Sequence, residues 1–168
     1  MYRLALLIAA TTLACGDEPV EPHEFDEGTY IVQFDEVDGT ACGFDSVYLR
    51  SDAMEVGVTA TLDGMRYTYP DATTDEDHVD CAMDGAAFNC DALTQVQALD
   101  AQGFDATITI LLLQSGEWTD SDAHAGRFTY AFTCTGEDCT GGLGGSAYGA
   151  DAGFPCELSG EYTGEKAD

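Results

Sequence analysis

The sequence predicts an all-β protein: an antiparallel meander that forms a small barrel or a sandwich and is stapled by disulfides. Three observations indicate this fold class. Apolar residues recur with a period of two, turn signals separate the short apolar segments, and six of the seven cysteines follow residue 40. A period of two marks half-buried strands, because successive side chains of a strand point to opposite faces.

The clearest strand covers residues 54–62, "MEVGVTATL", in which the small or apolar face runs from Met54 to Leu62. Asp63 and Gly64 then indicate a hairpin turn into "MRYTYP". Residues 28–37, "GTYIVQFDEV", alternate in the same way. Short strands joined by tight turns favour a meander.

The rest of the body adds further strands and one long loop. Residues 105–115, "DATITILLLQS", are apolar on both faces past Ile108, which is typical of a central strand, and residues 126–134 alternate. Residues 90–103 fit either a helix or a strand over 93–99, and the neighbouring strands favour the strand. The glycine-rich stretch at 136–153 predicts a loop and has no lysine to cradle a phosphate.

Two short motifs stand at the ends of this series of strands, "GTY" at residues 28–30 and "CELSGEYTG" at residues 156–164. Together with the meander pattern they faintly resemble the lipocalins, which are up-and-down β-barrels. The resemblance concerns topology, and it implies no ligand.

The first fifteen residues form a separate unit. A basic residue precedes the apolar run at residues 4–13, which has the length of a signal-peptide core and is too short to cross a bilayer of about 30 Å. The run ends at Cys15 as "TTLAC". This resembles the lipobox of bacterial lipoproteins, with Leu13 and Ala14 before the cysteine and Thr12 where the family most often has Leu. An ordinary secretory signal is the alternative.

The lipobox resemblance implies that residues 1–14 are removed and that Cys15 carries a diacylglyceryl group and an acylated amine, with palmitate as an acyl chain. Residues 15–27 would then be an acidic tether, and residues 28–168 a single β domain. The protein is expected in the bacterial cell envelope. Gly16 stands where Asp favours inner-membrane retention in enteric bacteria, so the outer membrane is favoured over the inner.

The chain is strongly acidic, with a formal net charge of −27. Such a field repels nucleic acid and anionic membrane surfaces, so we expect no nucleic-acid partner. It favours a basic partner or cations. A highly solvated surface suited to a salty medium, where counterions screen the repulsion, is the simpler interpretation.

The cysteines after Cys15 are even in number, and the signal directs the chain to an oxidising compartment, so we expect three disulfides. No Cys-x-x-Cys pair is present, which disfavours zinc. Sequence alone leaves the connectivity open. The spacings favour two local pairs, Cys81–Cys90 and Cys134–Cys139. Cys42–Cys156 would then join an early strand region to the last one, which suits a closed or nearly closed sheet.

Two acidic stretches are candidate calcium sites. Asp120, Asp122 and His124 alternate before a glycine, and spaced oxygen ligands on a tight turn suit calcium. The second stretch contains Asp71, Asp75, Glu76, Asp77 and Asp80. Neither has the spacing of an EF-hand. A polar hairpin tip and an exposed acidic loop are the favoured interpretations, and we expect no other cofactor.

Catalytic motifs are weak. His78 and His124 are candidate bases, but the sequence places no nucleophile beside either. We therefore expect a membrane-anchored envelope lipoprotein whose acidic β domain is non-catalytic and serves binding or structure. The alternative is an envelope hydrolase whose site is assembled from distant loops.

Overall fold

The computed structural model describes residues 23–44, 47–49, 53–69, 78–140, 143, 148–149 and 151–168, with backbone alone for residues 47–49. Within these residues the chain forms β1 (Gly28–Phe34), β2 (Val37–Asp38), β3 (Val47–Leu49), β4 (Ala53–Ala60), β5 (Gly64–Thr68), β6 (His78–Asp84), β7 (Ala87–Cys90), β8 (Leu93–Ala98), β9 (Thr107–Asp120), β10 (Ala123–Thr135) and β11 (Cys156–Lys166). Short 3₁₀ helices cover Gly39–Cys42, Asp100–Gln102 and Glu137–Thr140. No helix in the described ranges is long and apolar enough to span a membrane.

Eight strands form a closed antiparallel barrel in the order β1, β4, β5, β6, β7, β9, β10, β11. The ring closes where β11 pairs with β1, with Tyr30 opposite Lys166 and Phe34 opposite Tyr162. Strands β2 and β3 form a separate pair in the connection from β1 to β4. The prediction of an all-β meander is confirmed, and of the two predicted architectures the barrel is the correct one.

Strands β7 and β8 are two parts of one interrupted strand. Both run antiparallel to β9, with Asn89 opposite Ser115 and Leu93 opposite Leu112. Between these two pairs, three residues of the β7–β8 strand (90–92) face two residues of β9 (113–114), which is a one-residue bulge. Strand β6 pairs with β7 and not with β8. Consequently β8 extends along β9 beyond the closed ring, and the predicted strand over 93–99 is confirmed.

The buried faces follow the alternation that the sequence predicts. On β1 the buried residues are Tyr30, Val32 and Phe34, and on β10 the ring of Phe128 and the ring of Phe132 are fully buried. Each buried position is separated from the next by residues that are more exposed. The core is the barrel interior, and its side chains are mainly aromatic or branched.

The strand predicted over residues 54–62 ends two residues early. The backbone N–H of Thr61 donates to the carbonyl oxygen of Gly64 over 2.9 Å, so the turn starts directly after Ala60. Leu62 lies in this turn and is 98% exposed, whereas the alternation had assigned it to the buried face. Local turn hydrogen bonding therefore outweighs the burial of one leucine at the strand end.

The three predicted disulfides all form. Cys81 and Cys90 lie opposite each other on β6 and β7, and Cys134 and Cys139 close the turn after β10. The third bridge joins the 3₁₀ helix after β2 to the first residue of β11, across 114 residues of sequence. It therefore ties the long connection after β1 to the last strand of the barrel.

Candidate binding surfaces

The barrel has two ends of different character. At the end that we call the hairpin end lie the tight turns β4–β5, β6–β7 and β9–β10, together with the start of β1 and the end of β11. The opposite strand ends, which the longer connections 35–52, 69–77, 99–106 and 136–155 join in sequence, lie at the other end, which we call the loop end. The chain therefore enters and leaves the barrel on the side opposite to its long loops.

The segment that precedes β1 packs on the hairpin end. The ring of Phe25 stacks on Trp118 at 4.8 Å with an interplanar angle of 8°. The Tyr30 hydroxyl donates to the carbonyl oxygen of Asp26 over 2.7 Å, and Lys166 forms an ion pair with the Asp26 carboxylate at 3.4 Å. The predicted tether, 15–27, thus contributes its last five residues to the packing of the barrel. Its first part, with Cys15, lies outside the described residues.

Aromatic rings enclose His124 inside the barrel, close to the hairpin end. The imidazole is 1% exposed. Five rings lie with centroids 4.9–6.0 Å from it: Tyr30, Tyr67, Phe88, Trp118 and Tyr162. Gly164 on β11 leaves the space that the imidazole occupies, because a Cβ atom there would lie 2.2 Å from the histidine ring. The lack of a side chain at Gly164 therefore makes room for the His124 imidazole in the barrel interior.

Five polar atoms of this layer have no protein hydrogen-bond partner. Among the described residues, both His124 nitrogens, the hydroxyls of Tyr67 and Tyr162 and the Trp118 indole nitrogen are buried without a hydrogen bond. Burial lowers the pKa of His124 from 6.5 to about 4, so the imidazole is neutral at pH 7. Burial, with a smaller contribution from Tyr162, raises the pKa of Tyr67 well above its usual value. These two hydroxyls influence each other but do not meet hydrogen-bond geometry.

The loop end of the interior is also filled by side chains. The ring of Phe44 packs edge-on against Phe132 at 5.2 Å and against Tyr148 at 5.3 Å. Midway along the barrel the Tyr69 hydroxyl donates to the side-chain oxygen of Gln114, which is buried. The described side chains therefore pack the barrel as a core.

The structure separates the residues of the first calcium hypothesis. Asp120 and Asp122 are exposed at the tip of the β9–β10 hairpin, and the Asp120 carboxylate accepts a hydrogen bond from the backbone of Ser121 over 2.8 Å. His124 points away from them into the interior. Across the described ranges, no three His, Cys, Asp or Glu side chains are grouped as metal ligands.

The second acidic stretch is described only at its end. Residues 71–77, and with them four of its five acids, lie outside the described residues. Asp80 pairs with Arg66 across β5 and β6, at 2.6 Å between nitrogen and oxygen. The hydrogen bond from this guanidinium holds the pKa of Asp80 below its usual value. Asp80 is therefore engaged in an ion pair on the barrel wall.

Neither candidate base has a catalytic environment in the part of the chain that the structure describes. His124 contacts aromatic rings and makes no hydrogen bond to a hydroxyl, thiol or carboxylate. His78 begins β6 on the outer face of the barrel, opposite Thr68. A general base needs a partner whose proton it removes and a group that orients it, and neither arrangement is seen here.

The edge of β8 is a surface feature that sequence reasoning missed. On one side β8 pairs with β9 from Leu93 to Ala98, and the described residues provide no ladder on its other side. Val96 at its centre is 67% exposed. The pattern of the segment predicts a strand. Whether that strand lies at an edge depends on how far β6 reaches along its neighbour, and the sequence of β8 does not encode this.

Comparison with family models, curated proteins and solved structures finds no match to this chain. A barrel fold by itself specifies no function, because the same architecture carries many unrelated ones. The features that bear on function are therefore the orientation of the two ends, the acidic surface and the edge of β8 that lacks a partner strand among the described residues.

Proposed function

We propose that the protein is a lipid-anchored, non-catalytic binding or structural module of the bacterial cell envelope. The observation that carries the proposal is the path of the N-terminal segment. Residues 23–27 pack on the hairpin end, and residue 23 follows Cys15 by only eight positions. An extended chain spans about 3.5 Å per residue, so the hairpin end would lie within roughly 28 Å of acyl chains on Cys15.

This geometry would present the loop end away from the membrane. The loop end, where the longer connections join the strands, would then face the surrounding medium, and surface loops commonly carry recognition. A diacylglyceryl group and an amide-linked acyl chain would hold the protein firmly, because each buried methylene contributes about 0.8 kcal/mol and a single chain is marginal. The outer membrane remains the favoured location.

The charge of the protein supports a binding role of a particular kind. A formal charge of −27 disfavours nucleic acid and anionic surfaces, and it attracts basic proteins or cations. The described interior supports a role without catalysis, since its one buried histidine is neutral and surrounded by rings. Recognition is therefore assigned to the outer surface.

The anchor is tested on the protein purified from a bacterial membrane. Mass spectrometry should find a mature N-terminus at Cys15 that carries a diacylglyceryl group and an acyl chain. Cys15→Ser should release the protein from the membrane fraction, and Gly16→Ala, which leaves the acylated residue in place, should not. An unmodified N-terminus after residue 15, or membrane association that survives Cys15→Ser, would contradict the proposal.

A further inference from the structure

We propose that the edge of β8 with which no described strand pairs docks an extended, basic segment of a partner protein, which adds to the barrel wall as a further strand. The inference rests on the proposed binding role and specifies the chemistry of the partner. It does not depend on the lipid anchor. Strand addition to an exposed sheet edge is a common mode of peptide recognition, in which main-chain hydrogen bonds provide affinity.

The first argument is that no described residue pairs with the second edge of β8. Strand β6 follows β7 only up to the contact in which the Asp91 N–H donates to the Asp80 carbonyl oxygen over 2.8 Å. From Leu93 onward the strand pairs with β9 alone in the described structure. Six residues of strand are about 20 Å long, which leaves a template of the length of an average strand.

The second argument is that the edge lacks the usual protection. Natural proteins block exposed edges with lysine, proline, bulges or inward charges, because an open ladder pairs with other chains. Strand β8 reads "LTQVQA" and has no charge, proline or glycine, in a chain in which 22% of residues are charged. The bulge that separates it from β7 lies before its first residue and leaves the edge regular.

The side chains of β8 define what lies beside an added strand. Thr94, Val96 and Ala98 share the outer face with their partners on β9, whereas Gln95 and Gln97 lie on the opposite face. Val96 is 67% exposed, and an apolar or β-branched residue next to it would bury its surface. The fitting segment therefore alternates, with an apolar residue at its centre.

Charge selects a basic segment over a second copy of this chain. Exposed acids flank the edge at both ends: Asp91 lies two residues before β8, and Asp100 lies two residues after it. Asp138 lies near the same end, where its carboxylate accepts from the backbone of Asp105 over 2.6 Å. Basic residues at the two ends of an added strand would meet these acids. Two copies, each with a formal charge of −27, would repel each other.

The test uses the mature protein in detergent micelles and a synthetic peptide. The peptide has a lysine at each end and alternating valine and threonine between them, and binding is followed by titration and by amide hydrogen exchange of β8. A peptide of the same sequence with alternate backbone amides N-methylated keeps the charge but cannot form a ladder, and it should not bind. Saturating peptide should slow exchange at β8 by roughly ten-fold or more.

Two matched variants locate the site. Val96→Lys places a charge on the exposed centre of β8, and binding should weaken about ten-fold or more, because lysine protects edges and repels a basic segment. Leu62→Lys adds the same charge at a fully exposed position on the hairpin end, and binding should change by less than about two-fold. Both sites are exposed, so both variants should fold.

Four results would overturn the proposal: equal binding of the N-methylated peptide, equal loss in the two variants, β8 amides that are already protected in the free protein, or a dimer joined through β8. Protection in the free protein would mean that the chain covers its own edge. An unlipidated Cys15 would refute the proposed anchor and leave peptide binding unaffected, so the two failures are distinguishable.

Discussion

Acid should destabilise this barrel through His124 in particular. The imidazole is buried and neutral in the folded state, with its pKa lowered by burial from 6.5 to about 4, while in the unfolded chain it regains the ordinary value. As pH falls below 6.5, the His124 imidazole becomes protonated in the unfolded chain and stays neutral in the folded protein. The stability that depends on the neutral imidazole is therefore lost between pH 6.5 and 4.

The size of the loss follows from the two pKa values. A histidine that titrates at 6.5 when unfolded and at about 4 when folded lowers the free energy of unfolding by about 3 kcal/mol between pH 7 and pH 4. Solvent screening does not reduce this figure much, since the side chain is 1% exposed. Such a loss is a large share of the 5–15 kcal/mol that is typical of a domain.

The assay compares the protein with His124→Phe, which replaces the imidazole by a ring that does not titrate. Urea denaturation at pH 7 and at pH 4 gives the free energy of unfolding of each, and the carboxylates common to both proteins cancel in the difference. We expect the variant to lose about 3 kcal/mol less than the parent on acidification. Equal losses in both proteins, or an NMR titration of His124 centred near 6.5, would refute the reasoning.

Three further predictions concern the supports of the barrel. Replacing both Cys42 and Cys156 by Ala should lower the free energy of unfolding by about 4–5 kcal/mol, because the bridge spans 114 residues; a loss below about 1 kcal/mol in urea denaturation would contradict this. Gly164→Ala should cost about 1–3 kcal/mol through its clash with the His124 ring, and a His124→Ala background should remove most of that cost. Phe25→Ala should cost about 1–2 kcal/mol and shift the emission of the single tryptophan, and an unchanged spectrum would count against the stacking.

Much of the wall could be predicted from the sequence, because burial on one face leaves a period of two that is local. The alternation in residues 126–134 predicts the buried rings of Phe128 and Phe132 correctly. The same phase continues back to His124 and could have assigned it to the interior. Its position after two aspartates suggested a cation site instead. The acidic composition of the turn was therefore a misleading guide to His124, and the alternation of the strand was the correct one.

Other features depend on partners that are remote in sequence. The residues from 23 to 27 read as a solvated acidic stretch, and only the presence of Trp118 at the hairpin end gives Phe25 a surface to pack on. Likewise, the bulge between β7 and β8 follows from pairing with β9 and leaves no signal of its own. The disulfides were predictable because two of the three close short loops.

The pairing of β1 with β11 constrains the order in which the strands can pair while the chain is being synthesised. The strand that closes the ring, β11, is the last strand of the described chain, and it carries Cys156, whose bridge reaches back to Cys42. A chain that emerges N-terminus first can pair β1 with β4 and then form the hairpins from β4 to β10 in turn, but the second edge of β1 stays unpaired until β11 is made. Until then β1 and β10 each expose an unpaired edge, so the interval before completion is when this chain is most open to wrong pairing.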